Sequence, residues 1–292
     1  MLMAGFTTVQ SVGSPHDKSV RDAIEQGRIP GPRLITSLGS LTDASGSPEQ
    51  IRQWIRQKVK EGADVVKLFA TKSIRDGGTQ SMTDAQIQAA ISEAKALGKR
   101  TVVHAHASPG ARVAILAGCT TIEHGTLLDE DVFELMAKHG VYFDPNFLVL
   151  HNYLDTRPKF EGVGNFNEAG FAMMTKVLPN LAKTLQMAEA HKVKVVIGTD
   201  AVAGAHGKNA EEFIYRVKDA GQKPMNALLS GTSVAAESLG LGNRIGSVAP
   251  GLEADLVATA GNPLDDITNM RNVVFVMKGG KVYKNVPVAR SR

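Results

Sequence analysis

The chain has 292 residues, a 43% hydrophobic content and a formal net charge of +4, with Lys and Arg scattered among Asp and Glu. No basic stripe for nucleic acid results, and no apolar stretch reaches the ~18 residues of a membrane-spanning helix. The single cysteine, Cys119, excludes an intrachain disulfide, and within Gly118-Cys119-Thr120-Thr121-Ile122 it reads as a buried structural thiol.

Strand and helix signals alternate along the chain, which is the pattern of βαβ units. Gly5 to Val12 reads as a strand and Ser19 to Gln26 as a short helix. After the breaker Pro30-Gly31-Pro32 comes a strand at Arg33 to Ser37. Pro48 to Glu61 reads as a helix closed by Gly62, Val65 to Ala70 as a strand, and Thr83 to Leu97 as a helix with Thr83 as its N-cap. The series continues with strand 101–106, helix 109–117, strand 120–123, helix 129–139, strand 141–144, helix 170–191 and strand 193–198. Helices 209–220 and 224–239 close it. Two long connections, Thr71 to Met82 and Asn146 to Gly170, read as loops. In the tail, Gly279-Gly280 between two alternating apolar runs predicts a hairpin.

Three strand segments carry the chemistry: Val102-Val103-His104-Ala105-His106, Thr121-Ile122-Glu123-His124-Gly125 and Val196-Ile197-Gly198-Thr199-Asp200. Each is an apolar, β-branched run of the kind buried in a parallel sheet. Each ends in a side chain able to bind a metal, and α/β barrels place their chemistry at strand C-termini. Val65-Val66-Lys67 adds a fourth such end. Taken alone, His104 and His124 could equally be satisfied polar core residues, Lys67 a side chain snorkelling out of a strand end, and Asp200 a helix cap. His106 shares a strand face with His104 by the period of two and reads as a neighbour of the ligands or a substrate contact. His206 lies in a loop, either facing substrate or solvent. His151 and Tyr153 lie in the second long loop, which is either a substrate-binding element or a surface Ω-loop.

The order Lys, His, His, Asp on four strands resembles the amidohydrolase superfamily. So does the tail Ile245-Gly246-Ser247-Val248-Ala249-Pro250-Gly251-Leu252-Glu253-Ala254-Asp255-Leu256-Val257. Within it the chain looks closest to the imidazolonepropionase-like branch that holds Xaa-Pro dipeptidases and ochratoxin-type amidases. The resemblance implies an α/β fold, a (β/α)8 TIM barrel of the metal-dependent hydrolase type over residues 1–243, with part of a small β-sandwich over 244–292. It implies a divalent metal, Zn²⁺, binuclear in complete relatives, bound by Lys67, His104, His124 and Asp200, with Lys67 as a carbamate. Asp200 would be the proton shuttle in hydrolysis of a small amide or dipeptide by metal-activated water. His106, His151, Tyr153 and His206 would contact substrate. A homo-oligomer is compatible with this reading, and the compartment is left open, cytoplasmic for the chain as it stands.

Two departures qualify the expectation. Relatives carry an earlier strand ending in His-x-His, whereas no such pair precedes residue 104 here. They also commonly end the first retained strand in Arg-Asp, where this chain has Gln10-Ser11. The chain therefore reads as lacking the first barrel strand, the first helix and the N-terminal part of the accessory sheet. Marginal stability and little or no activity are expected from it, and the alternative is a non-catalytic barrel remnant with residual metal binding.

Overall fold

Runs such as Val65-Val66 and Val102-Val103 are apolar on both faces, so they need a covering layer on each side. The computed structural model describes residues 1–202 and 204–287 and buries these runs in parallel sheet. In chain order the elements are β1 (Thr8–Ser11), α1 (Asp17–Glu25), β2 (Arg33–Thr36), β3 (Ser40–Leu41), α2 (Pro48–Glu61), β4 (Val65–Phe69), α3 (Asp84–Ala96) and β5 (Arg100–Ala107). There follow α4 (Ser108–Ala117), β6 (Thr121–Leu127), α5 (Glu130–His139), β7 (Tyr142–Asp144), α6 (Phe147–Asp155), α7 (Glu168–Ala190), α8 (Ala210–Lys218), α9 (Pro224–Ser230) and α10 (Ser233–Ser238). Capping boxes start α2 (Ser47 with Gln50) and α3 (Thr83 with Gln86), each satisfying N–H groups that the helix itself leaves free.

β1 pairs with β2, and β3 to β7 form a five-stranded parallel sheet in sequence order. The Asp64 N–H donates to Thr36 O at 2.8 Å and links β2 to the base of β4. Parallel strands in succession with helices on the outer face make this the α/β barrel architecture expected. Two side-chain layers lie back to back across it. Val103 and Ala105 pack outward with the helices, whereas Val102 packs inward with Ile35 and Val65. Among the described residues no strand pairs with the outer edge of β1. No helix there is long and apolar enough to cross a membrane.

Three local expectations are corrected. Residues 193–198 form no regular strand: Phe143 N–H donates to Lys194 O (3.0 Å) and Val196 N–H to Phe143 O (2.8 Å), an isolated parallel bridge to β7 only. The helix expected over 224–239 breaks into α9 and α10 at Gly231, where a Cβ would lie 2.5 Å from the Phe213 ring. The loop expected over 146–170 contains α6, because Phe147-Leu148-Val149-Leu150 is buried as a helix.

Beyond the helices, β8 (Leu256–Thr259), β9 (Val273–Lys278) and β10 (Lys281–Asn285) form a small antiparallel sheet in the order β10-β9-β8. Gly279 (φ 55°) and Gly280 (φ 78°) make the β9–β10 turn, which needs two residues at positive φ. Leu2 packs on this sheet against Val273 and Val276, and Arg33 pairs with Glu253 and, at 3.1 Å, with Asp255. Residues 288–292, the end of the 244–292 segment, lie outside the described residues.

Phe143 on β7 is fully buried and meets Phe133 edge-on at 5.2 Å. Replacing it with Ala leaves a cavity under the site-bearing strands, and the expected loss is about 3–5 kcal/mol of unfolding free energy. Denaturant titration checks this; a loss below about 1 kcal/mol would show that the surroundings collapse into the space.

Candidate active site

The pleat of β5 sends His104 and His106 to the inner face with Val102. On β6 the register sets Glu123 opposite His104 and His124 opposite Ala105. A regular pleat would therefore turn His124 outward. Instead His124 takes φ 70° and Gly125 φ 59°, and the β5–β6 register slips between Ala105 and Ala107. A left-handed conformation costs a non-glycine residue on the order of 1 kcal/mol. It brings the His124 ring to 4.6 Å from His104 and 4.9 Å from His106, with His104 and His106 4.6 Å apart.

All three imidazoles are held neutral. Burial lowers the pKa of each, for His106 to about 3. The His106 ring Nδ1 lies 2.8 Å from Thr126 Oγ1, and its backbone N–H donates to Thr71 Oγ1 at 3.0 Å. His106 is thus fixed beneath the 71–82 segment, whose Gly78 approaches so closely that a Cβ would sit 2.8 Å from His106 Cβ.

Lys67, 5% exposed, stands on β4 opposite Val102, one inward-facing position before His104. Burial lowers the pKa of its ammonium, and the opposing charges of Glu123, Asp200 and Asp144 offset part of that shift. Glu123 and Asp144 are cross-strand neighbours. Burial pushes both carboxyls up, Asp144 well above the usual range because Glu123 adds its own negative charge. Asp144 Oδ1 is buried without a hydrogen-bond partner, and its Oδ2 fills the place a Cβ on Gly198 would occupy, 1.8 Å away. Asn146 donates to Glu123 Oε2 at 3.4 Å.

Asp200 completes the group at φ 40°. It is exposed and lines a cavity of ≈ 520 Å³. Protein packed around the carboxyl raises its pKa, while Lys67 and Arg75 pull it back. Lys67, Glu123, His124, Asp144, His206 and Asn209 line the same cavity, and Asn209 donates to Thr199 Oγ1 at 2.8 Å, holding the approach to Asp200. Phe6, Val9, Val12 and Leu34 make the opposite, apolar wall. A second cavity of ≈ 450 Å³, lined by Arg21, Arg33, Arg100, Arg244 and Lys278, lies at the N-terminal strand ends, away from these groups.

Tyr153 and His151 sit on α6. Tyr153 packs edge-on against Phe160 (4.9 Å) and Phe166 (4.7 Å) near Arg75, whereas His151 stacks on Tyr215 at 3.8 Å with Asp219 3.4 Å away. His151 is thus apart from the histidine cluster. Glu123, Asp144, Asn146 and Arg75 were not singled out from sequence. Glu123 and Asp144 do share the strand-end signal, but only the β6–β7 register shows that they meet.

Among the described residues no three of His, Cys, Asp and Glu stand close enough to hold an ion by themselves. The donors nevertheless have the right chemistry: two neutral imidazoles in ring contact, a lysine whose amine is driven toward neutrality, and a buried carboxyl oxygen without a partner. Imidazole nitrogen and carboxyl oxygen are donor types that suit a divalent ion.

The model of the amidohydrolase family matches residues 1–283. The chain is similar to ochratoxinase of Aspergillus niger, with 30% identity over 97% of this chain and 66% of that protein, so it spans just under two thirds of that curated relative. It is also similar to a crystal structure of a Xaa-Pro dipeptidase with bound methionine in the active site: 32% identity, TM-score 0.88, covering 97% of this chain and 76% of that one. A prolidase structure complexed with N-methylphosphonate-L-proline matches at 26% identity and TM-score 0.88, over 98% of this chain and 77% of that one.

The depressed His106 pKa sets a pH dependence. The unfolded chain binds this proton near pH 6.5, the folded chain only near 3. The stability from keeping the ring neutral is therefore complete above pH 6.5 and is lost as pH falls toward 3. Urea unfolding between pH 7 and 5 should show a steeper decline for the native chain than for His106→Asn. Parallel slopes would mean that His106 titrates alike in both states.

Proposed function

The chain belongs to the amidohydrolase family, and on that premise we propose that it hydrolyses the C–N bond of a small amide or dipeptide in the cavity shared by Lys67, His124 and Asp200. The observation that carries this reading is the contact of three neutral imidazoles beside a desolvated lysine and an accessible, proton-hungry carboxylate. A set built only for stability would not leave so many lone pairs and charges in one place.

His104 and His124 offer the two nitrogen ligands. Lys67 joins them as a carbamate: the ammonium gives up one proton to become the neutral amine, the amine nitrogen bonds to the carbon of CO₂ as a C=O π pair moves onto oxygen, and a second proton leaves the nitrogen, so that a buried cation becomes an anion. Desolvation favours that change of sign. A divalent ion held there, zinc being suited to nitrogen and oxygen donors, would polarise the substrate carbonyl and lower the pKa of water to about 7. Asp200 then accepts the proton from the attacking water and returns it to the departing amine nitrogen. Its raised pKa brings it nearer the value at which such a shuttle works well. His206 and Asn209 line the cavity that receives substrate.

One observation favours a second reading. Because no three His, Cys, Asp or Glu side chains among the described residues form a cage on their own, a non-catalytic barrel with residual ion affinity would look alike. Turnover separates the two. Against the little or no activity expected from the sequence alone, this reading has the zinc-loaded chain release amine from dipeptides or N-acyl amino acids, and Asp200→Asn lower kcat by on the order of 10²–10⁴-fold while the circular dichroism spectrum is unchanged. A variant within tenfold of the native chain would remove Asp200 from the chemistry, and a native chain with no turnover would favour the second reading.

A further inference from the structure

The cavity of ≈ 450 Å³ at the N-terminal strand ends takes no part in the chemistry above. Arg21 reaches it from α1, Arg33 from β2, Arg100 from the start of β5, Arg244 from the segment after α10 and Lys278 from the end of β9. Arg100 precedes His104 by four residues on β5, roughly 13 Å at ~3.3 Å per residue. The cavity thus lies at the opposite end of that strand from the histidine cluster. Ile24, Leu34 and Leu239 line both cavities and form an apolar partition between them.

The cations are not equally neutralised. Arg21 pairs with Asp64 at 2.7 Å, Arg33 with Glu253 and, at 3.1 Å, with Asp255, and Arg244 Nε donates to Glu253 Oε1 at 2.8 Å. Arg100 and Lys278 have neutral partners instead. Arg100 donates to Gln10 Oε1 at 2.9 Å and to Ser238 O at 3.1 Å, and Lys278 Nζ donates to Gly31 O at 2.6 Å. Among the described residues neither of the two forms an ion pair with a carboxylate. The remaining carboxylate of the lining, Glu25, is exposed. Burial lowers the pKa of Arg100 and of Lys278, and the charge of Arg33 adds to the shift at Lys278. An anion beside them would offset both effects.

A volume of this size suits a small organic ligand. Ile24, Leu34, Ile35, Leu239 and Leu241 offer it apolar surface, and the guanidinium and ammonium groups offer donors. One guanidinium fork satisfies a planar carboxylate, whereas donors arriving from five separate segments match a tetrahedral group whose oxygens point several ways. Two cations without ion pairs match two negative charges. We infer that this cavity binds a small phosphate monoester, with Arg100 and Lys278 on the phosphoryl oxygens and Ile24, Leu34 and Leu239 against the organic body. Arg100 belongs to the barrel and Lys278 to the small sheet, so the bound anion clamps one to the other.

The test is calorimetric binding of phenyl phosphate, inorganic phosphate and phenol at about pH 8, where a phosphate monoester carries two charges. EDTA is present, so that no divalent ion occupies the histidine cluster. Phenyl phosphate should bind the native chain with a dissociation constant below about 1 mM and more tightly than inorganic phosphate or phenol by at least about tenfold. Arg100→Gln and Lys278→Met should each weaken it by on the order of tenfold to a hundredfold, the worth of a hydrogen bond to a charged group. His124→Ala should bind it as the native chain does. Absence of binding at about 10 mM, affinity no greater than that of phenol or inorganic phosphate, or unchanged affinity in both cation variants would overturn the proposal. So would a loss of binding in His124→Ala, which would move the phosphate to the histidine cluster. If Arg100→Gln does not fold, Lys278→Met decides: weakened binding supports the site and unchanged binding ends it.

Discussion

An ammonium group buried on a barrel strand must be compensated, and Lys67 is such a group. Taking it from water costs several kcal/mol even after the surroundings relax, and three carboxyls are gathered to meet it: Glu123, Asp144 and Asp200. Burial pushes the Asp144 carboxyl up, and the negative charge of Glu123 beside it adds to that shift. Burial lowers the pKa of the histidines, which favours their neutral form. Burial is the largest cause of the shift at each of these groups, and the charge of Lys67 acts beside it on the histidines, Glu123 and Asp200. The carbamate proposed for Lys67 would remove that cost by changing the sign of the lysine itself.

Backbone strain and buried bonds hold that arrangement in place. His124 and Asp200 both occupy left-handed backbone, a conformation kept only where the surroundings over-determine it. For His124 the constraint comes from Gly125, wedged against the Phe143 ring. The segment leading to Asp200 is held from behind by Arg216, which is fully buried and donates to Val196 O at 3.1 Å. One turn earlier on α8, Glu212 accepts the N–H groups of Phe147 (3.1 Å) and Leu148 (2.7 Å) at the start of α6. Its pKa, pushed up to about 7 by burial, records how little water reaches this layer. α8 therefore ties the Asp200 segment to the helix that carries Tyr153.

Much of this was legible in sequence, for a definite reason. Apolar runs that end in Lys67, His104 and His124 can be recognised because a parallel strand buried on both faces has a composition of its own, and its C-terminal end is its functional end. Interactions across strands were not legible. Whether Glu123 meets Asp144 depends on a register that neither segment encodes alone. The inward turn of His124 depends on one backbone angle. The Phe147–Leu150 run was read as part of a loop because four apolar residues are too few to show a helical period, so the helix that carries Tyr153 stayed hidden. Residues 193–198 have a strand's composition but bridge to a strand on one side only, so the regular ladder does not form.

The central claim is that Lys67 changes from a buried cation to a metal ligand. A zinc titration against a competing chelator tests it most directly, run with and without bicarbonate on the native chain and on Lys67→Met and His124→Ala. The account predicts about one ion per chain, an affinity that rises with bicarbonate only in chains that keep Lys67, and a loss on the order of a hundredfold or more in either variant. Zinc binding that ignores bicarbonate and survives Lys67→Met unchanged would contradict it.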